Sequence, residues 1–145
     1  MSLDVCLTNT KPGGCGSGIF VRRNGQTVEI TRKEWDHSFP DSEPVIATFN
    51  AEVWSANITH NLNDMAREAG IYKALWRPEE IGITHARELI HPLTCGLAAL
   101  KLDPDRFRKF NPENGWGNYE TLVNFVDGYL TACVENPDAE VHADR

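Results

Sequence analysis

The sequence predicts an α+β fold, a small and mostly antiparallel sheet packed by three to four helices. Three observations carry that expectation. Apolar residues alternate near the start, with Leu3, Val5 and Leu7 on one face, and alternate again from Val45 to Trp54. Asn24-Gly25 separates two short runs and suits a two-residue hairpin turn, which needs positive φ at both positions. In the second half the period changes, and apolar residues recur every three or four positions from Thr84 to Leu102 and from Tyr119 to Cys133.

Taken in order, Ser2 to Thr8 is the first strand. Lys11 to Gly18, with Pro12 and its glycines, is a loop. Its composition suits a phosphate cradle, but the lysine-serine ending of a P-loop is missing. Ile19 to Arg23 and Gln26 to Ile30 form the hairpin, which extends the sheet. Thr31-Arg32-Lys33-Glu34 is a capping box. It opens a short helix ending near Phe39-Pro40, whose Trp35 and Phe39 are expected to pack on the sheet. Val45 to Trp54 is the next strand, after a polar turn at Asp41 to Glu43. It feeds a helix with Asn57 or Thr59 as N-cap, Ile58, Leu62, Met65 and Ala69 as buried stripe, and Gly70 as left-handed stop.

Ile71 to Trp76 is a single turn halted by Pro78. Thr84 caps a helix to about Leu102 with Ala86, Leu89, Ile90, Leu93, Leu97 and Leu100 inward and a kink at Pro92. Asp103-Pro104 opens a short helix carrying Phe107 and Phe110. Asn111 to Gly117 is a loop, and Asn118 caps the last helix, with Glu120 at its positive end. The buried face of that helix is Tyr119, Leu122, Val123, Val126, Tyr129, Leu130 and Cys133. After Asn136-Pro137 the segment Ala139 to Ala143 returns as a strand beside the first. Residues 1–145 read as one α+β domain, with 13–43 a hairpin-plus-short-helix elaboration suited to homo-oligomer assembly.

The formal net charge of −7 argues against a nucleic acid polymer as partner. A small phosphorylated ligand stays compatible, because local basic groups decide that. No apolar run of spanning length and no signal segment occurs, so no membrane partner and a cytoplasmic location are expected. Cys6, Cys15, Cys95 and Cys133 are scattered, with no zinc or redox spacing. Cys95 and Cys133 fall on apolar helical stripes and are expected in the core.

The densest polar chemistry lies in Ser55 to Gly70. Asn57, Asn61 and Asp64 share a face of the expected helix, with His60 beside them. Amides, an imidazole and a carboxylate at the positive end of a helix suit a hydrogen-bonding or anionic ligand. The same groups serve equally to cap the helix and tie down loops. Trp54, Tyr72, Trp76, Trp116 and Tyr119 sit at element ends, where an aromatic face stacks on a base or seals the core. Arg77, in a constrained turn between Trp76 and Pro78, is a candidate anion contact. Arg67 and Lys73 are basic groups near the same aromatics, and on the other side Arg106, Arg108 and Lys109 read as a solvated face.

The ligand-binding set is therefore Asn57, His60, Asn61, Asp64, Trp76, Arg77, Trp116 and Tyr119. His60 and Asp64, one turn apart, resemble the start of a metal site that His85 or His91 would complete, yet no full ligand motif is present. No metal and no cofactor is expected. The same pair could act as acid and base, so catalysis stays open. No serine or cysteine nucleophile setting is visible.

The block NITHNLNDMAREAGIYKALWRPEEIGI, followed by FNPENGWGNYETLVNFVDGYLTAC and a PDAEV tail, resembles a family of small, uncharacterised bacteriophage and prophage proteins. The resemblance covers Met1 to Leu7 and Ala51 to the end, and the central hairpin departs from the shorter family pattern. It implies viral origin and a host bacterial cytoplasm, and no activity. Among such proteins, an amide-rich, aromatic-lined pocket suits sequestration of a nucleotide-type immune signal, an anti-defence role. The alternatives are a hydrolase acting on a nucleotide-like molecule, with His60 and Asp64 as acid and base, and a protein that blocks a host protein through its surface.

Overall fold

The computed structural model describes the backbone of residues 1–12 and 17–145, and the side chains of these apart from 10–12 and 48–50. Residues 13–16 of the expected glycine-rich loop, with Cys15, and the facing of Phe49 lie outside the described residues. The strands are β1 (Ser2–Pro12), β2 (Ile19–Arg23), β3 (Gln26–Ile30), β4 (Thr48–Thr59) and β5 (Glu140–Asp144). The helices are α1 (Arg32–Ser38), α2 (Asn63–Glu68), α3 (Tyr72–Trp76), α4 (Ala86–Leu102), α5 (Pro104–Arg108) and α6 (Tyr119–Glu135), with 3-10 turns at His60–Leu62 and Pro78–Ile81. The fold is α+β with two antiparallel sheets, one of order β4-β1-β5 and one of β2 and β3 alone. The hairpin thus forms its own sheet instead of extending the other. The chain divides into two compact units, Met1–Asn9 with Glu52–Arg145, and Thr10–Ala51.

In the larger unit, Leu3, Val5 and Leu7 are all buried, while Asp4 between them is exposed. The returning strand β5 pairs antiparallel with β1, Val5 opposite Ala143 and Leu7 opposite Val141. On this sheet lie α4 and α6, whose inward residues include Leu89, Leu93, Leu122, Val126 and Tyr129. Burying each such side chain contributes about 1.5–3 kcal/mol before chain entropy is set against it. Asn118 caps α6 by accepting from the Thr121 amide at 2.9 Å. Gly96 of α4 packs on Ile71, and a Cβ there would lie 2.1 Å from Ile71 Cγ2, so only glycine allows the approach.

Several boundaries differ from expectation. β4 starts at Thr48, not Val45, and continues to Thr59, and the 3-10 turn precedes a helix that begins only at Asn63. The N-cap of α4 is His85 instead of Thr84, because Glu88 gathers both amides: Thr84 N and His85 N donate to its Oε1 at 3.1 and 3.0 Å. α4 continues through Pro92 to Leu102. Cys133 is buried, and burial raises its thiol to about 12, but Cys95 is exposed. Its side chain leaves the α4 stripe and lies 3.8 Å from His91 Nε2.

The smaller unit holds the hairpin with Asn24 at φ 52° and Gly25 at φ 77°, as its turn requires. Thr31 and Glu34 form both bonds of the capping box. Trp35 and Phe39 pack on each other, with centroids 4.5 Å apart, and the Trp35 indole donates to Ser42 O. No residue of α1 is buried, so the helix lacks the expected apolar seat on a sheet.

Candidate functional site

The turn at the end of β4 is built by its own side chains. Thr59 accepts from the Asn61 amide at 3.3 Å and so caps the 3-10 turn. Ile58 and Leu62 on either side are buried and pin it to the core. The His60 amide donates to Met1 O at 3.5 Å, which holds the turn against the start of β1. The loop 112–117 lies over the same turn. Gly117 at φ 87° is its contact point, where a Cβ would meet Thr59 Cγ2 at 2.8 Å and Leu62 Cδ1 at 3.0 Å. Close approach at Gly117 therefore carries Trp116 to this turn.

Between these segments and α3 opens a cleft of about 930 Å³. Its walls bring together Asn57, His60, Asn61, Trp76, Arg77 and Trp116 from the expected set. Thr59, Asn63, Tyr72, Asn114, Arg145, Met1 and Ser2 line it with them. Asp64 and Tyr119 are not in it. Asp64 is exposed and paired with Arg67 at 2.7 Å. Tyr119 is 6 % exposed, and its hydroxyl donates to Leu100 O at 2.7 Å, so it joins α6 to α4.

The aromatic wall is rigid. The Trp76 indole N–H donates to His60 Nδ1 at 2.8 Å. Tyr72 stacks on Trp76 at 5.6 Å and 15°, and the Arg67 guanidinium covers the Tyr72 ring at 4.1 Å. Arg77 Nε donates to the Tyr72 hydroxyl at 3.4 Å, and that bond holds the phenol below its ordinary range. Trp116 is different. It is 71 % exposed, and among the described residues only its backbone is tied down, by Asn114 Oδ1 at 3.0 Å. An indole that open at a cleft rim is a free stacking face.

The charges in the cleft are cationic. Arg77 and Arg145 line it, and among the described residues no Asp or Glu side chain does, although the chain carries a net charge of −7. Arg145 donates to Trp76 O at 2.7 Å and to Glu79 at 2.6 Å, and this partner holds the Glu79 carboxyl below its ordinary range. Arg77 pairs with Glu80 at 3.4 Å. Both carboxylates come from the 3-10 turn behind the cleft, so each arginine is oriented while other N–H groups remain.

Much of the hydrogen-bonding capacity is unspent. Asn57 Nδ2 donates to Asp4 at 2.6 Å, leaving its carbonyl. The side-chain amides of Asn61 and Asn63 and the Nε2 of His60 have no partner among the described residues. No group of three or more His, Cys, Asp or Glu able to hold a metal occurs among the described residues. Nor is any described helix long and apolar enough to cross a membrane.

Arg145 and Asn63 carried no local signal. Arg145 reaches the cleft only because β5 pairs with β1 and brings its end beside α3. Asn114 could have been found from its place beside Trp116 in the glycine-rich loop. Other sequence candidates are structural here: Trp54 stacks on Tyr129 at 4.9 Å, Arg106 pairs with Glu68, and Arg108 pairs with Glu120 at 3.1 Å. Comparison of the chain with protein-family models, with curated proteins and with solved structures finds no match.

Proposed function

We propose that this protein binds a small nucleotide-like molecule in the cleft at the end of β4 and holds it without converting it. The observation that carries the reading is the cleft's composition: a cationic, amide-rich wall with an open tryptophan, in an acidic chain. Arginine forks and amides suit phosphate and base edges, and Trp116 suits a planar ring. The volume falls in the range of small-molecule sites.

Binding is favoured over hydrolysis by what His60 and Asp64 actually touch. His60 Nδ1 accepts from Trp76, and Asp64 pairs with Arg67 outside the cleft, so the acid–base pair is not made. In the phage setting that the sequence resemblance implies, enclosing a nucleotide-type immune signal would deplete it, an anti-defence role in the bacterial cytoplasm.

Incubating the protein with a nucleotide mixture, removing free ligand, and then denaturing by heat tests this reading. Recovery of one intact nucleotide in stoichiometric amount is expected. Recovery of a converted product would establish catalysis instead. A stoichiometric protein partner with no retained small molecule would favour a surface-blocking role.

A further inference from the structure

The bond between Trp76 and His60 does more than join two rings. An indole N–H is only a donor, so the His60 Nδ1 at 2.8 Å must present its lone pair. In a neutral imidazole the proton then resides on Nε2. Trp76 cannot turn away to release it. The indole is 1 % exposed and is stacked against Tyr72, which Arg67 covers and Arg77 bonds. His60 Nε2 has no protein partner among the described residues, and the ring lines the cleft.

We infer that Trp76 fixes His60 as the Nε2–H tautomer and that His60 donates a hydrogen bond from this N–H to an anionic oxygen of the ligand, so that the cleft selects a nucleotide over its nucleoside. The inference rests on the nucleotide-binding reading and adds which part of the ligand is read and by what. A neutral donor beside Arg77 and Arg145, with no Asp or Glu side chain in the wall among the described residues, matches a phosphate oxygen better than a cation or a donor group. Trp76 is a positioning residue and His60 the contact.

Long-range 1H–15N spectra of the full chain read the tautomer directly. A protonated Nε2 and an unprotonated Nδ1 are expected at neutral pH, and a protonated Nδ1 would overturn the inference. Titrations with ADP and adenosine read the selection. The native protein is expected to favour ADP by on the order of tenfold or more, since hydrogen bonds to charged groups have that worth. His60→Ala should narrow the preference, and His60→Gln, which keeps an N–H donor, should restore part of it. Trp76→Phe, which keeps a ring in the stack, should narrow the preference and release the tautomer. If that variant unfolds, the native spectrum and the His60 variants still decide. Equal affinity for ADP and adenosine, or an unchanged preference in His60→Ala, overturns the inference and leaves the nucleotide reading standing. Binding of neither overturns both.

Discussion

Two regions of the larger unit are made from the same kinds of residue and differ in what those residues have left over. At the start of α6, Arg106 pairs with Glu68, Arg108 pairs with Glu120 and covers the Tyr119 ring, and the Tyr119 hydroxyl is bonded to Leu100 O. Phe107 beneath them is buried. At the cleft, arginines again meet aromatics, but Trp116 is open and His60, Asn61 and Asn63 keep unspent polar groups. Arginines beside aromatic rings are therefore not a signature of binding. The signature is bonding capacity that the fold does not consume, facing a hollow.

The largest effect that would sharpen this contrast is on folding. Phe107→Ala should cost about 3–5 kcal/mol, read by denaturant unfolding, with nucleotide affinity unchanged in the folded fraction. A selective loss of affinity would join the two regions and break the distinction. Next comes Gly117→Ala, which should cost about 1–3 kcal/mol, because the added Cβ meets Thr59 and Leu62 at a positive φ. It should also weaken binding, since the Trp116 loop must lift. Stability without a binding defect would show that the position of the loop is irrelevant to the cleft.

Within α6 the two buried tyrosines should part company. Tyr119→Phe leaves Leu100 O without its donor and should cost about 1 kcal/mol or more. The Tyr129 hydroxyl is buried with no partner among the described residues, so Tyr129→Phe should be neutral or stabilising by about 1 kcal/mol. Equal thermal shifts in the two variants would contradict the bonding shown here.

The smallest effect is electrostatic. Glu79 is held low mainly by its bond from Arg145, and Glu120 by its own backbone amide and then by Arg108. A depressed carboxyl favours the fold above its unfolded value, here ordinarily 4.5, and that contribution fades as pH falls through the lower folded value. NMR titration should place both midpoints below 4.5. Saturation with a nucleotide that draws on Arg145 should move the Glu79 midpoint upward and leave Glu120 in place. Parallel movement of both would remove Arg145 from the site.

How legible this was depended on range along the chain. The Asn24-Gly25 turn, the Thr31–Glu34 box, the Asn118 cap and the alternation of Leu3, Val5 and Leu7 are local signals, and each appears in the structure. Helical spacing from Asn57 puts Asp64 on the cleft face, and the structure does not. The chain is extended through Thr59 and then tightens into a 3-10 turn, so the α-helical count begins only at Asn63. Tyr119, the first residue after the cap, can turn outward or inward by its position in sequence, and its bond to the carbonyl of Leu100 turns it inward. The bond between His60 and Trp76, sixteen residues apart, depends on the packing of α3 and has no local pattern.

The most direct test of the account is a calorimetric titration of ADP into the native protein and into Trp116→Ala, with melting curves for both. The exposed indole predicts a melting point essentially unchanged, within about 0.5 kcal/mol of stability, and an affinity at least about tenfold weaker. A variant that unfolds, or one that binds ADP as the native chain does, would show that the open tryptophan serves the fold or nothing at all, and the cleft would lose its standing as a binding site.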